Sequence, residues 1–363
     1  MIGAAMAAAS GTKVINPNVW ADFSTLVAQS IAGGVVSSPP TVSTYSLMHT
    51  NVNSAYTGGV LNASGDVHFI PQSANKGQKI DSAGVVSTYS LVYTGNYQYY
   101  GGVLDTNGEI HFINASASVG QKISAAGVVS TYSLVYTGGS SYRGGVLAPN
   151  GDIHFVPFQA TVGQKISSAG VVSTYTLVYR VSNGYSGGCL DPNGNIHFIP
   201  SQATVGMKIS SAGAVSTYSL MHTHEFGAYA GGVLAPNGDI HFVPHYGTKG
   251  QKINSSGVVS TYSLVYSGSN VAKYVGGVLA PDGAIYFVPY DGTVGQKISS
   301  AGVVSTYALA FANLGYMCGG GFVDANGAVN FVNDGAARGQ KVNITPNIPF
   351  SAALRRTAWV NKF

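Results

Sequence analysis

The apolar positions of this chain fall in short runs separated by glycine-rich turns, and the runs return in a constant order. Four segments recur, which in their fullest forms read YxGGVL, DIHFVP, GQKIS and VSTYSLVYT. Runs this short, bounded by Gly, Asn and Ser, predict β-strands. The string VSTYSL or a close variant begins at Val42, Val86, Val129, Val172, Val215, Val259 and Val304. The second block carries its Gly pair at Gly58, Gly101, Gly144, Gly187, Gly231, Gly276 and Gly320, each followed by a GQKI-like segment.

The Gly pairs are 43 to 45 residues apart. A period of this length with four strands per unit predicts an all-β propeller of seven blades, strands A to D being the four segments in the order given above. Asn-Gly in most A to B connections, as at Asn107-Gly108, Asn150-Gly151, Asn193-Gly194 and Asn237-Gly238, predicts two-residue hairpins with positive φ. One VSTYSL copy precedes the first Gly pair and none follows the last, where Ile344 to Phe350 reads ITPNIPF. Residues 42 to 50 are therefore expected to supply strand D of the last blade, closing the ring and removing its open edges. The organisation that follows is an N-terminal arm over 1–40, a propeller over 41–343 and a C-terminal arm over 344–363.

The Gly pair resembles that of kelch repeats, and the run Leu147, Asn150, Gly151, Ile153, His154, Gly163, Gln164 is similar to repeats of the RCC1 type. Repeats this alike within one chain also resemble those of bacteriophage virion propellers. These resemblances imply the fold and carry no function with them.

Composition narrows the function classes. Only 8% of the residues are charged and the net charge is +4, with no run of Lys or Arg to follow a phosphate backbone, so nucleic acid is not an expected partner. Cys189 and Cys318 fall in blades 4 and 7, too far apart for a disulfide, and should be free and buried. The start MIGAAMAAASGTK has no basic residue ahead of its apolar run, which is too short to span a bilayer, so neither a signal peptide nor membrane insertion is expected.

Several polar residues recur with the repeat. His68, His111, His154, His197 and His241 share one strand B position, where a metal ring is excluded by distance and inter-blade hydrogen bonding is expected. Lys79, Lys122, Lys165, Lys208, Lys252, Lys297 and Lys341 form a sevenfold set, read as stems packed between blades with the ammonium reaching solvent or carbonyls. Tyr56, Tyr99, Tyr142, Tyr185, Tyr229 and Tyr274 open strand A, either as a structural ring or as a stacking rim on the central channel. No Ser-His-Asp signal, metal-spaced cluster or phosphate loop stands out, so neither enzyme activity nor a cofactor is expected.

The copies differ in the D to A and B to C connections, which emerge on one face of the disc. These hold Tyr97, Tyr100, Arg143, Glu225, Phe226, Lys273 and Tyr316, and Phe158, His245, Tyr246, Tyr290 and Asp291, a mixture suited to partner binding and equally to loop drift. Outside the repeat, Trp20, Phe23, Val27 and Ile31 recur at helical spacing between Asn18 and Gly33-Gly34, predicting a short amphipathic helix. Arg355, Arg356, Trp359 and Phe363 form an interface-like C-terminal mixture. A rigid disc with two adhesive arms reads as a bacteriophage virion protein on capsid or tail. It would be assembled in the host cytoplasm and displayed on the particle surface, with other virion proteins and a host glycan as partners. The rival readings are a lectin-like propeller and an RCC1-like or kelch-like scaffold.

Overall fold

The computed structural model describes residues 41–48, 54–267, 271–310, 318–333 and 338–344. They form seven four-stranded antiparallel sheets. Six are built from consecutive strands, as in blade 3 with Tyr142–Leu147, Ile153–Pro157, Gly163–Ile166 and Val172–Tyr175. The seventh takes Cys318–Val323, Val329–Asn333 and Arg338–Asn343 from one end of the repeat and Thr41–Ser46 from the other. Tyr45 lies opposite Gly339 and Ser43 opposite Lys341, the pairing that the offset between the two blocks demands. Residues of the proposed arms (Trp20, Phe23, Val27, Ile31, Arg355, Arg356, Trp359 and Phe363) and Tyr316 lie outside the described residues.

The core is divided. Val146 and Val156 of blade 3 pack on Ile196, Phe198 and Met207 of blade 4, and equivalent clusters sit between the other neighbouring blades. Val332 and Phe322 of blade 7 pack on Tyr56 and Phe69 of blade 1, with Tyr45 against the same cluster. Each blade thus buries its two faces only because it has two neighbours. Cys189 and Cys318 are buried thiols that are not joined in a disulfide.

Two glycine positions are dictated by close approach. At Gly187, φ is +78° and a Cβ would stand 2.7 Å from Gly231 Cα, so the innermost strands of blades 4 and 5 meet backbone to backbone. At Gly163 in strand C, a Cβ would stand 2.2 Å from the Tyr175 ring. The strand D tyrosine lies across that glycine to reach His154 in strand B, a solution repeated in the other blades.

The A to B connection departs from the two-residue hairpin. In blade 2 it runs over residues 105 to 109; Gly108 N–H donates to Asp105 O at 3.3 Å and Asp105 N–H to Glu109 O at 2.8 Å. Only the glycine takes positive φ, +81° at Gly108, and Asn107 does not. The turn is of the type I kind closed by a left-handed glycine, in which one residue of positive φ suffices. The Asp105 carboxylate accepts from Asn107 N and Glu109 N at 2.8 Å and does the capping that a type I′ turn would not need.

Neighbouring blades are latched by a buried strand C glutamine. Gln164 Oε1 accepts from the backbone N–H groups of Val135 and Tyr136 at 3.1 and 2.7 Å, in the connector arriving from blade 2. Gln121, Gln251 and Gln296 do the same in their blades, whereas blade 4 carries Met207 at that position. Gln164→Met should therefore be tolerated sterically yet lower stability by about 0.5–1.5 kcal/mol, because two backbone N–H groups, one on the exposed Val135, lose their acceptor. Denaturant unfolding of the single variant checks this.

Candidate functional site

The repeated polar residues prove to be internal fastenings. The strand B histidines bond within their own blade and not between blades: His68 Nδ1 lies 3.3 Å from the Tyr89 hydroxyl, and His111, His154 and His241 repeat this with Tyr132, Tyr175 and Tyr262. The reason is the strand C glycine, which lets the strand D ring cross to strand B. Burial, followed by the neighbouring lysine, pushes His68, His154 and His241 down to about 4, so they are neutral at physiological pH.

The lysines reach carboxylates. Lys79, Lys165, Lys252 and Lys341 bond Asp66, Asp152, Asp239 and Asp324 at 2.6–2.8 Å. The strand A tyrosines are buried to 2% exposure or less, stack edge-on or tilted against the strand B Phe, and donate to loop carbonyls, as Tyr142 does to Val162 O at 3.0 Å. They are a structural ring, not a channel rim. Asp105, Glu109 and His111 hold ligand-type atoms within 4.8 Å of one another, but the Lys122 ammonium already occupies Glu109 at 2.6 Å.

The loop face is different in kind. Just after strand A begins, successive blades carry Thr57, Tyr100, Arg143, Ser186, Ala230 and Val275; just after strand B ends they carry Gln72, Ala115, Phe158, Ser201, His245 and Tyr290. No residue type repeats within either set, although the strands around them are nearly identical. The residue after strand B accepts from the residue that leads into strand A of the next blade, as Phe158 O does from Gly184 N at 2.9 Å and His245 O from Lys273 N at 3.0 Å. Both sets therefore lie together at the loop end of the inner strands.

Two groups of the candidate residues are brought together there. The Arg143 guanidinium carbon lies 3.5 Å from the Phe158 ring centroid and 5.0 Å from that of Tyr100, held between aromatic faces with no carboxylate partner among the described residues. His245 donates from Nδ1 to Tyr274 O at 2.8 Å, which fixes the tautomer and leaves Nε2 with a lone pair and no hydrogen-bond partner among the described residues. Its ring touches Tyr246 and Tyr290 with centroids at 4.9 and 5.6 Å.

Burial is the main cause that lowers His245 to about 4. The Tyr274 bond and Asp291 oppose this, while Arg143 and Lys273 push it further down, so Arg143 of blade 3 lies within electrostatic reach of blade 5. Lys273 is fully buried, which brings it down to about 8. It acts on the site through its field. Beyond His245, His224 stacks on Tyr246 at 5.9 Å and 17°, and Phe226 closes the group at 6.1 Å from Tyr246.

Of the remaining candidates, Tyr97 and Glu225 stand exposed on the same face and neither group includes them. His224 was missed by the sequence reading. Its signal was a departure from the neighbouring connectors, His-Thr-His at 222–224, in a chain with nine histidines of which five are repeat residues.

No family model matches the chain, and no curated protein matches it. Solved structures do. A streptogramin B lyase is 21% identical with a TM-score of 0.73, the match covering 84% of this chain and 98% of the lyase. A catalytically inactive histidine-to-alanine variant of virginiamycin B lyase from Staphylococcus aureus, solved with quinupristin, is 19% identical with a TM-score of 0.72, over 84% of this chain and all of that one. The WD40 propeller domain of Doa1 is 12% identical with a TM-score of 0.62, over 83% and 97%. At these identities the likeness shows the propeller fold. It also overturns the expectation that the chain is no enzyme. That expectation rested on a repetitive disc without a linear motif, and propellers of this architecture include lyases in which a histidine matters to catalysis.

Proposed function

We propose that the inner rim of the loop face binds a carboxylate-bearing ligand and that His245 takes a proton from the carbon beside the carboxylate, the opening step of a lyase-type reaction. The single observation that carries this reading is the His245 geometry: Nδ1 tied to a carbonyl, Nε2 without a partner among the described residues, and a ring kept neutral chiefly by burial, with Arg143 and Lys273 adding to the effect. A neutral imidazole beside fixed positive charge is suited to forming an enolate-like anion, since the charge that develops is the one the site already attracts. Arg143, its guanidinium carbon over the Phe158 and Tyr100 rings, is the cation that would hold the carboxylate, since a guanidinium pairs with a carboxylate through two parallel hydrogen bonds.

The test is calorimetry with a panel of hydroxy acids, amino acids and uronic acids, followed by deuterium incorporation from solvent into the bound ligand. Arg143→Ala should abolish binding. His245→Gln should bind normally and lower the exchange rate by about 100-fold or more. Binding that ignores Arg143 removes the reading.

A second reading, assembly into a bacteriophage particle, draws support from the outer edge of the disc. Val85, Val128, Val171, Val258 and Val303 stand 58–62% exposed at the same place in their blades. A repeated apolar rim suits burial against a neighbouring subunit. On this reading the terminal arms anchor the protein and the loop face meets a host glycan. Deleting 1–40 and 345–363 should then abolish incorporation into particles while leaving the disc folded.

A further inference from the structure

We infer that blades 3 and 5 each carry, on the face opposite the loops, a cleft that binds a neutral sugar ring through its hydroxyls. The inference is independent of the loop-face reading. In blade 3 the cleft has a volume of about 140 Å³, with Asp152, His154, Lys165 and Tyr175 of that blade on one side and Gly194 and Ile196 of blade 4 on the other. A single small residue opens it. At the first position of the A to B turn, four blades set a side chain against the strand B residue: Asn62 Nδ2 lies 3.5 Å from His68 Nε2, Asp105 Oδ2 lies 3.5 Å from His111 Nε2, Asp191 Oδ2 lies 3.3 Å from His197 Nε2, and Asn330 Nδ2 donates to Asp324 Oδ2 at 3.0 Å. Blades 3 and 5 carry Ala148 and Ala235 there. Blade 6 has Ala280, but Tyr286 replaces its histidine and donates to Asp282 at 3.0 Å. His154 is only 8% exposed and lines the cleft; its Nδ1 faces the Tyr175 hydroxyl, and its Nε2 has no partner among the described residues. His241, 5% exposed and with Nδ1 facing the Tyr262 hydroxyl, stands the same way in blade 5.

The polar groups beside this opening select the ligand. Lys165 donates to Asp152 at 2.7 Å and Lys252 to Asp239 at 2.6 Å. Each ammonium keeps donors to spare and each carboxylate keeps lone pairs, so the pair presents donors and acceptors side by side, as two adjacent hydroxyls require. Burial keeps the His154 and His241 rings neutral and the charges of each ion pair cancel, which disfavours an anion. A hydroxyl both donates and accepts, and therefore meets Nε2 in either tautomer. A cavity of about 150 Å³ takes a six-membered carbon ring. The blade 3 cleft is of that size and reaches the exposed Pro149 and Asn150, so one sugar ring fits with its substituents directed outward.

The experiment titrates the full chain with the methyl glycosides of glucose, galactose, mannose and N-acetylglucosamine, using calorimetry for stoichiometry and saturation-transfer NMR for contact. The expected result is binding of at least one of them at two sites per chain, one for each of these blades. Ala148→Asp should leave one site, and its combination with Ala235→Asp should leave none. Both changes insert the residue that blades 2, 4 and 7 already hold at this position, and near-ultraviolet circular dichroism establishes that the variants are folded. Asn62→Ala should add a third site, because blade 1 otherwise carries the full set, with Lys79 on Asp66 at 2.8 Å and His68 facing Tyr89 at 3.3 Å. If no glycoside binds, or if binding is unchanged in the double variant, the inference falls. Glycerol or inorganic phosphate binding these clefts as tightly as the sugars likewise overturns it.

Discussion

Deleting residues 1–48 should cost this protein its cooperative fold, whereas deleting 1–40 alone should leave the disc intact. The strand Thr41–Ser46 is the outer strand of blade 7, and its partner Arg338–Asn343 becomes an unpaired edge without it. The loss also reaches the core. Tyr45 covers Gly339 and, with Leu47, packs against the cluster between blades 7 and 1, while Val42 packs on the one between blades 6 and 7. These side chains are partly buried, and losing all three together with the strand pairing should open the ring and expose flat strand edges that aggregate. Thermal unfolding and light scattering of the two truncations check the difference. A permuted chain with 41–48 placed after Ile344 through a short turn should recover a single transition, since the ring needs the strand and not its covalent position. Failure of the permutant to refold would show that the closing pairing is not what holds the ring.

Acid should unfold the disc through its histidines. His68, His154, His241 and His245 are each held near 4, in every case chiefly by burial, against an unfolded value of about 6.5. Below about 6.5 the unfolded chain takes up protons that the folded chain refuses. The unfolded state is therefore favoured as pH falls, and stability declines between about 6.5 and about 4. The slope should be on the order of 1 kcal/mol per pH unit for each histidine that stays neutral in the fold. Denaturant midpoints across this range measure it, and replacing His154 by Gln should reduce the slope by one proton's worth. A midpoint that stays flat from pH 7 to 4.5 would contradict the buried neutral rings.

The propeller, its blade number and its closing strand were legible because they depend on counting. Seven Gly-pair blocks and seven VSTYSL blocks, out of step by one, can satisfy every strand only in a ring. The histidine, lysine and tyrosine sets were legible as sets, but their partners were not. His154 meets Tyr175 across Gly163 because of a ring lying flat over a missing Cβ, and Lys165 meets Asp152 because their strands pair in one register. Such contacts depend on which face of each strand a residue takes, together with the lean of its side chain. The glutamine latch was missed for the same reason, its two acceptor contacts being made about thirty residues away in another blade.

For the proposed site, comparison among the blades singled out loop residues without showing which of them meet. It placed Arg143, Phe158, His245, Lys273 and Tyr290 among the varying residues, beside Tyr97 and Glu225, which stand apart. By itself the sequence determined a closed ring of seven like blades, because a repeated pattern of strand and turn leaves one way to bury every face and pair every edge. Only the tertiary structure decided which differences between blades converge. Arg143 of blade 3 helps burial to hold His245 of blade 5 low, an effect between residues about one hundred positions apart that no local pattern encodes.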